Sequence, residues 1–449
     1  MGTARNLLGN FHETDYLPTI VHTGSGSQNS DVSKGQTVND RPLFLKTKPF
    51  LRTWVFALSL FVFLWHDSAV SQNKSLWVTA YYPLWSAPTM YPEAVDFSNV
   101  THIVHFCANP VQDYPYLDVL VPAPPGKYNQ DSVNIQWGGN YNGNNPPLWR
   151  KIDIQQTLLT RAHAKGVRVV LSVGGIYGAG AQSLSFITAD PVRLDIFVRN
   201  ACAYAKRKGY DGIELDWEFP KASEKQNFSS LIMRFRKELD TWKPRGLFFA
   251  AVNHTPWPSV GYDRDSLVAA FDQINVMTYE MYNGSYSNIK TGYNTPIQLP
   301  VDYPGYSGYA LEQPGRAMRA WIQFGVPASK LGLGISFLTA EFFNVQPPVE
   351  PARPFGWHNW GYVKDIPADG RHWDNTSLVP WQASGTKFIT YEDTASVRRK
   401  VEYARKLQLG GLMLYDLLGG YVPQNPEGKR EELLRAVRDD VRSMSSSRK

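Results

Sequence analysis

The chain has 449 residues, of which 43% are hydrophobic and 13% aromatic, so it can bury a large core and cannot be disordered throughout. Its net charge is +6, but the basic residues are scattered rather than gathered into runs with interleaved aromatics, which argues against nucleic-acid binding. The only cysteines, Cys107 and Cys202, form no CxxC pair, and we expect two buried free thiols.

Motifs for metal ions and nucleotides are absent. The chain contains no HExxH, EF-hand loop, GxxxxGK[ST] or strand-following GxGxxG, and its nine histidines form no group with ligand spacing. The sequence therefore predicts neither a metal nor a cofactor.

The N-terminal region predicts an extension followed by a targeting segment. Residues 1–45 are rich in Gly, Ser, Asn, Asp and Thr without periodicity, as in a disordered extension. Residues 46–71 resemble a secretory signal peptide, because three basic residues precede the apolar stretch 54–65 and small residues end at Ser71. The alternative is a type II membrane anchor, although the apolar stretch is shorter than the roughly 20 residues a span needs.

Six Asn-x-Ser/Thr sequons follow the expected cleavage site. In a secreted chain we expect several of them to carry glycans. They begin at Asn73, Asn99, Asn227, Asn253, Asn283 and Asn375.

From residue 72 to 449 the chain alternates strand-like and helical segments. Amphipathic stretches such as 152–165, 191–208 and 394–407 separate short apolar runs, and 427–442 closes the series. Eight such units predict an α/β fold, a closed (β/α)8 TIM barrel. The predicted strands are 76–82, 100–108, 167–174, 210–218, 246–253, 272–279, 331–337 and 410–416.

Two long non-helical insertions are predicted, after strand 2 at about 110–148 and after strand 7 at about 339–388. Both would project from the face where the strands end, which is the face that carries active sites in such barrels. Sugar rings stack on aromatic side chains, and we expect about half of the insertion aromatics to serve in this way and half to anchor loops. These aromatics are Trp137 and Tyr141 in the first insertion and Trp357, Trp360 and Trp373 in the second.

Residues 210–220 alternate acidic and apolar side chains. In a strand, Glu214, Asp216 and Glu218 share one face and leave the apolar residues on the other. A half-exposed strand with its acids in water is the simpler interpretation, but the neighbouring segments have the pattern of a parallel sheet buried on both faces. Confined carboxyls raise one another's pKa, which suits a general acid near neutral pH.

The chain resembles glycoside hydrolase family 18, which includes chitinases, chitin-binding relatives and endo-β-N-acetylglucosaminidases. The family signature DGxDxDxE appears as Asp211–Glu218, the SxGG element as Ser172–Gly175 and the MxYD element as Met277–Glu280. Gly410–Met413 is a further likeness. The resemblance covers residues from about 75 to 420.

The resemblance implies hydrolysis with retention by substrate assistance. Glu218 would protonate the glycosidic oxygen, while the acetamido oxygen of the sugar attacks its own anomeric carbon to form an oxazolinium ion. Asp216 would hold the acetamido N–H, Tyr279 would bind the acetamido oxygen, and Glu214 would support them as the inner acid. Since the substrate brings its own nucleophile, one acid and one orienting carboxylate suffice.

The family likeness also implies a set of substrate-binding residues, and the sequence departs from the family pattern at several of the matched positions, including strand 7, where the segment from Gly334 lacks the usual Pro, Tyr and Arg. Asp is the usual residue at Glu214 and at Glu280, and Trp is usual at Tyr415, so we expect a reshaped pocket. The implied substrate-binding residues are Tyr81, Ser172, Trp217, Met277, Glu280 and Tyr415.

Three functions stay open on the sequence. The leading interpretation is a secreted, monomeric chitinase acting on β-1,4-linked N-acetylglucosamine polymers. The second is an endo-β-N-acetylglucosaminidase that cuts N-glycan cores, and the third is a carbohydrate-binding protein without turnover. Non-catalytic relatives typically lack the terminal acid of the signature, whereas Glu218 is present here.

Overall fold

The computed structural model describes residues 75–83, 86, 89–108, 154–175, 180–256, 261–281, 292–298, 314–343, 355–364 and 370–446. The predicted extension at 1–45, the targeting segment at 46–71 and the insertion at about 110–148 lie outside the described residues. Within the described ranges, no helix combines the length and hydrophobicity needed to cross a membrane.

Thirteen strands form two sheets in the described part of the chain. Eight parallel strands, β1–β7 and β13, close into a barrel in which β13 returns to pair with β1. The strands are β1 (Trp77–Pro83), β2 (His102–Ala108), β3 (Arg168–Gly174), β4 (Gly212–Asp216), β5 (Leu247–Val252), β6 (Gln273–Val276), β7 (Leu331–Ser336), β8 (Leu338–Phe342), β9 (Phe355–Asn359), β10 (Arg371–Asp374), β11 (Val379–Ser384), β12 (Lys387–Thr390) and β13 (Gly411–Tyr415).

Helices follow most of the barrel strands and cover the outside of the sheet. Helix α3 shows how their ends are encoded, since the Asp190 carboxylate accepts the N–H groups of Val192 and Arg193 and Gly209 ends the helix at φ 91°. The helices are α1 (Ile154–Ala164), α2 (Gly180–Thr188), α3 (Pro191–Lys208), α4 (Lys225–Leu239), α5 (Arg264–Ala270), α6 (Pro314–Gln323), α7 (Gly361–Lys364), α8 (Thr394–Lys406) and α9 (Glu432–Ser446).

The predicted (β/α)8 TIM barrel is confirmed, and each of the eight predicted strands overlaps a barrel strand. Two strands end more than one residue earlier than predicted: β4 stops at Asp216 and β6 at Val276, so Glu218 and Tyr279 lie on the segments that follow. Outward side chains such as Ile213 pack against the helices in one large apolar cluster. Cys107 and Cys202 are buried, as expected, and neither forms a disulfide.

The insertion after β7 contains a second sheet that the sequence did not predict. Its five strands, β8–β12, are antiparallel in the order β10-β11-β12-β8-β9, and the four-residue helix α7 lies between β9 and β10. Trp360 anchors this insertion, since its ring is buried and its Nε1 donates to the carbonyl of Glu392 at 2.6 Å. Trp373 is half-buried on β10, whereas Trp137 and Tyr141 lie outside the described residues.

Two of the sequons differ sharply in exposure. The side chain of Asn99 is buried and its Oδ1 accepts a hydrogen bond from Arg438 at 2.7 Å, so the folded protein leaves no room for a glycan there. Asn375, in the turn after β10, is exposed. Glycosylation at Asn375 stays a prediction.

A buried ion pair joins helix α8 to the segment that follows β12. Lys400 Nζ lies 2.7 and 2.8 Å from the two carboxylate oxygens of Glu392, and both side chains are at most 1% exposed. The same carboxylate accepts hydrogen bonds from the hydroxyls of Ser396, at 2.6 Å, and Thr295. A buried charge that keeps its partners is tolerated, but one that loses its partner is strongly destabilising.

We expect Lys400→Met to lower the free energy of unfolding by about 3–5 kcal/mol, because Glu392 would stay buried without a cation. The matched control is Arg399→Met, one residue earlier on α8. Arg399 pairs with Glu402 across solvent, with side chains 51% and 39% exposed, and its loss should change stability by less than about 1 kcal/mol. Urea denaturation of both variants measures the difference, and equal losses would contradict the importance of the buried pair.

Candidate active site

The acids of the 211–218 signature line the end of strand β4 at the mouth of the barrel. Glu214 and Asp216 point to the barrel interior and are 0% and 2% exposed. Glu218, two residues past the strand, is partly exposed. The three carboxyls therefore run from a dry interior to a position that solvent can reach.

The glycine pair of the SxGG element lets β3 approach this acidic strand closely. Gly175 N–H donates to the Asp216 carbonyl at 2.6 Å, and a Cβ on Gly174 would collide with that carbonyl oxygen. Gly174 also has φ 129°, a value that other residues rarely adopt. The glycines thus fix the backbone of Asp216.

Glu214 is the innermost acid and is held by a tyrosine from β1. Tyr81 Oη donates to Glu214 Oε1 at 3.0 Å. Ser172 on β3 lies opposite Glu214 in the strand register, and its hydroxyl and Glu214 Oε2 are buried without a hydrogen bond of normal geometry. One oxygen of Asp216, Oδ1, is also buried without a partner.

Burial shifts the titration of all three acids in the same direction. It raises the pKa of Glu214 to about 7, against the lowering effect of nearby hydroxyls. Burial and the charge of Glu214 raise the pKa of Asp216 well above its usual range. For Glu218, burial, Asp216 and Glu280 together raise the pKa well above that of an ordinary glutamate, although the side chain keeps access to solvent. This group of carboxyls therefore holds protons at a pH where free carboxyls have lost them.

Aromatic rings form a wall beside the acids. Tyr279 and Tyr415 stack with centroids 5.5 Å apart, and Tyr81 meets Tyr415 edge to face at 5.8 Å. Phe106 completes the wall, 5.6 Å from Tyr81 and 6.2 Å from Tyr415. Phe106 was not among the predicted site residues. The signal that could have identified it is its position near the carboxyl end of a predicted barrel strand.

Cys107 also belongs to this mouth. It packs in the same inward cluster as Met277 and Tyr279. Burial raises the pKa of its thiol, and the charges of the three acids 214, 216 and 218 add to that effect. The sequence predicted only that Cys107 is a buried thiol and gave it no place in the site.

The structure contradicts the role predicted for Trp217. We expected it to bind substrate, but its side chain is 2% exposed and packs against Phe228 of α4, at a ring distance of 5.9 Å, in the outer cluster between sheet and helices. Its place between two inward acids in an alternating strand sends its ring to the opposite face. The other predicted site residues, which lie at separate positions between Tyr81 and Tyr415 in the sequence, come together at the mouth of the barrel.

The site combines a proton donor that solvent can reach with deeper carboxyls and tyrosine hydroxyls. Such an arrangement can deliver a proton to a bound molecule and stabilise positive charge that develops beside it. Within the described ranges, no group of three or more His, Cys, Asp and Glu side chains is arranged to hold a metal ion.

The family model of the glycosyl hydrolases family 18 matches residues 78–419, and the chain belongs to this family. The match spans the barrel, the acidic run and the insertion sheet. A curated relative is mouse (Mus musculus) chitotriosidase-1, 27% identical over 304 residues, which are 61% of this chain and 63% of that protein. The chain thus spans less than two thirds of the length of that relative.

Solved structures share the fold. A group IV chitinase from Ostrinia furnacalis, in complex with allosamidin, superimposes with a TM-score of 0.68 at 20% identity, covering 83% of this chain and all of that one. Human YKL-39, described as a pseudo-chitinase that retains chitooligosaccharide binding, superimposes with a TM-score of 0.66 at 18% identity, covering 82% of this chain and 99% of that one. The same barrel therefore carries both an enzyme and a binding protein.

The raised pKa of Glu214 predicts a pH-dependent stability. A carboxyl with a higher pKa in the folded state stabilises the fold while it is protonated. That contribution is complete below its ordinary value of 4.5 and is lost as the pH rises through about 7. Glu214→Gln removes the loss, so we expect the variant to gain about 1–3 kcal/mol over the wild type at pH 8 and little at pH 4.5.

Thermal unfolding of both proteins from pH 4.5 to pH 8 measures this difference. Glu402→Gln, the same substitution on the surface of α8, is the control and should leave the pH dependence unchanged. If Glu214→Gln follows the wild-type curve throughout, Glu214 is already ionised in the folded protein at neutral pH.

Proposed function

We propose that this protein is a chitinase, a retaining hydrolase of β-1,4-linked N-acetylglucosamine polymers that works by substrate assistance. The observation that carries the proposal is the single acid Glu218, of raised pKa, at the open end of the buried pair Glu214 and Asp216. Membership of the glycosyl hydrolases family 18 and the relatives named as chitinases support it.

In the first step Glu218 gives its proton to the glycosidic oxygen as the bond to the anomeric carbon breaks. The acetamido carbonyl oxygen of the same sugar forms a bond to that carbon from the opposite side, giving an oxazolinium ion and releasing the leaving alcohol. Asp216, with an unpaired buried oxygen, accepts the acetamido N–H and stabilises the cation. Tyr279 donates its hydroxyl to the acetamido oxygen.

In the second step Glu218, now a carboxylate, takes a proton from water. The water attacks the anomeric carbon on the face that the alcohol left, and the ring of the oxazolinium opens. Two inversions at the same carbon retain its configuration, and Glu218 recovers its proton. An N-acetyl group on the substrate is indispensable to this mechanism.

The inner acid Glu214 acts through Asp216. Two buried carboxyls side by side cannot both ionise at low free-energy cost, so they share a proton near neutral pH. When positive charge develops on the sugar beside Asp216, Asp216 becomes the anion and the proton settles on Glu214, although the hydrogen bond that Tyr81 donates to Glu214 lowers the pKa of that carboxyl.

Glu218→Gln should reduce kcat by at least about 100-fold, because the amide cannot protonate the leaving oxygen. Binding of N-acetylglucosamine oligomers, measured by calorimetry, should persist, since the amide keeps the size and polarity of the side chain. Glu427→Gln, in an exposed loop, is the matched control and should keep full activity. Full turnover by Glu218→Gln would refute the assigned acid.

A substrate panel separates the candidate functions. We expect the wild type to hydrolyse oligomers of β-1,4-linked N-acetylglucosamine, to ignore cellulose oligomers, which lack the acetamido group, and to be inhibited by a thiazoline mimic of the oxazolinium. Release of glycans from a glycopeptide with no cleavage of chitin oligomers would instead identify an endo-β-N-acetylglucosaminidase.

A binding protein without turnover is the second candidate, favoured by the fold shared with human YKL-39. In that case the wild type would bind the oligomers and cleave none of them. Mass spectrometry of products at several times distinguishes this outcome from slow hydrolysis.

We also propose that the protein is secreted as a monomer after cleavage of the chain behind Ser71. The basic flank, the apolar stretch 54–65 and the small residues before Ser71 support export. A type II membrane anchor is the alternative. An extracellular location would bring the enzyme to polymeric substrates that do not enter cells.

A further inference from the structure

Asn294 joins the segment that follows β6 to the insertion sheet. Its side-chain oxygen accepts the N–H of Glu280 at 2.7 Å, and its backbone carbonyl accepts the N–H of Met281 at 3.1 Å. On its other side, its side-chain nitrogen donates to the carbonyl of Leu338 at 3.2 Å and its backbone N–H to the hydroxyl of Thr390 at 3.1 Å. Asn294 is buried, and its amide group is bonded at both ends.

The backbone of Glu280 depends on external support. Its φ is 56°, in the left-handed region that side chains other than glycine seldom adopt. Such a conformation persists only where the surrounding structure imposes it. Here the two hydrogen bonds from Glu280 and Met281 to Asn294 impose it.

The segment 292–298 that carries Asn294 is itself held firmly. The next residue, Thr295, donates to the buried carboxylate of Glu392, which Lys400 neutralises. Ile297 N–H donates to the carbonyl of Ser377 at 3.1 Å, between β10 and β11. The position of Asn294 is therefore set by the insertion and by helix α8, and not by the barrel alone.

We propose that Asn294 is a positioning residue that holds the Glu280 carboxylate beside Glu218 at the substrate pocket, and so makes the insertion sheet part of the catalytic apparatus. The inference rests on the proposed function, because it assigns a role in the same reaction. Asn294 acts through Glu280 and needs no contact with the sugar.

The charge of Glu280 supplies a specific readout. Burial, then Asp216 and then Glu280 raise the pKa of Glu218, so a displaced Glu280 allows the acid to ionise at a lower pH. The other titratable groups that face Glu218 are all retained in the variant. These groups are Glu214 and Asp216 of β4, Cys107 of β2, Tyr262 before α5, Tyr279 after β6 and Tyr415 of β13.

The test compares three variants: Asn294→Ala, Glu280→Gln and the double variant. We expect Asn294→Ala to lose about 10- to 100-fold in kcat, since displacements of about 1 Å at a reacting site have effects of this size. The basic limb of its kcat/KM profile should move to lower pH, because Glu218 must be protonated to act. Glu280→Gln should move the limb in the same direction, and the double variant should be no worse than Glu280→Gln.

Two controls keep the result interpretable. Lys387→Met removes an ion pair with Glu341, of 3.0 Å, from the same sheet and should leave the pH profile unchanged. Thr390→Val removes the hydroxyl that accepts the Asn294 N–H but introduces no charge and keeps the bonds to residues 280 and 281, so we expect an intermediate shift. This variant decides the question if Asn294→Ala does not fold.

The outcomes separate the two proposals. An unshifted basic limb in Asn294→Ala and Thr390→Val, or a loss that adds to that of Glu280→Gln, overturns the positioning role while the wild type still cleaves chitin oligomers. A wild type that cleaves none of them overturns the proposed function instead. Loss of activity in Lys387→Met equal to that of Asn294→Ala would assign the effect to general weakening of the sheet and would also overturn the inference.

Discussion

The structure depends on the confinement of ionisable carboxyls at the end of β4. Glu214 and Asp216 are withdrawn from water inside the barrel, and Glu218 stands just above them. Removing carboxylates from water favours their protonated forms, and mutual repulsion favours them further. This arrangement of carboxyls is therefore unfavourable for the stability of the fold. The surrounding structure, with close glycine contacts from β3 and a tyrosine hydroxyl from β1, is organised to maintain it.

Two layers of support surround the acids and come from distant parts of the chain. The inner layer is the ring of tyrosines and Phe106, whose faces and edges contact one another across the barrel mouth. The outer layer is the insertion sheet, tied to helix α8 by Lys400 and Glu392 and to the site through Asn294. Because the sheet lies between β7 and β13 in sequence, its own stability bears on the geometry of the site.

The sequence could predict the barrel and the acids, because both follow from local periodicity. Apolar runs separated by amphipathic stretches located all eight strands, and period-two alternation placed Glu214 and Asp216 on one face. The same alternation placed Trp217 on the other face. The prediction that Trp217 binds substrate came from the family resemblance and conflicts with this alternation. The insertion sheet escaped prediction because its short strands lack sustained alternation. Contacts such as that of Asn294 with Glu280 escaped prediction because the two residues are 14 positions apart and no local pattern relates them.

The aromatic wall gives the protein a built-in optical reporter. Tyr81, Tyr279, Tyr415 and Phe106 are close enough for their electronic transitions to couple, and their rings border the acids directly. Their asymmetric stacking contributes to near-ultraviolet circular dichroism in a way that isolated tyrosines do not. A ligand that enters the mouth changes the environment of these chromophores without any label, so occupancy can be followed by spectroscopy on the unmodified chain.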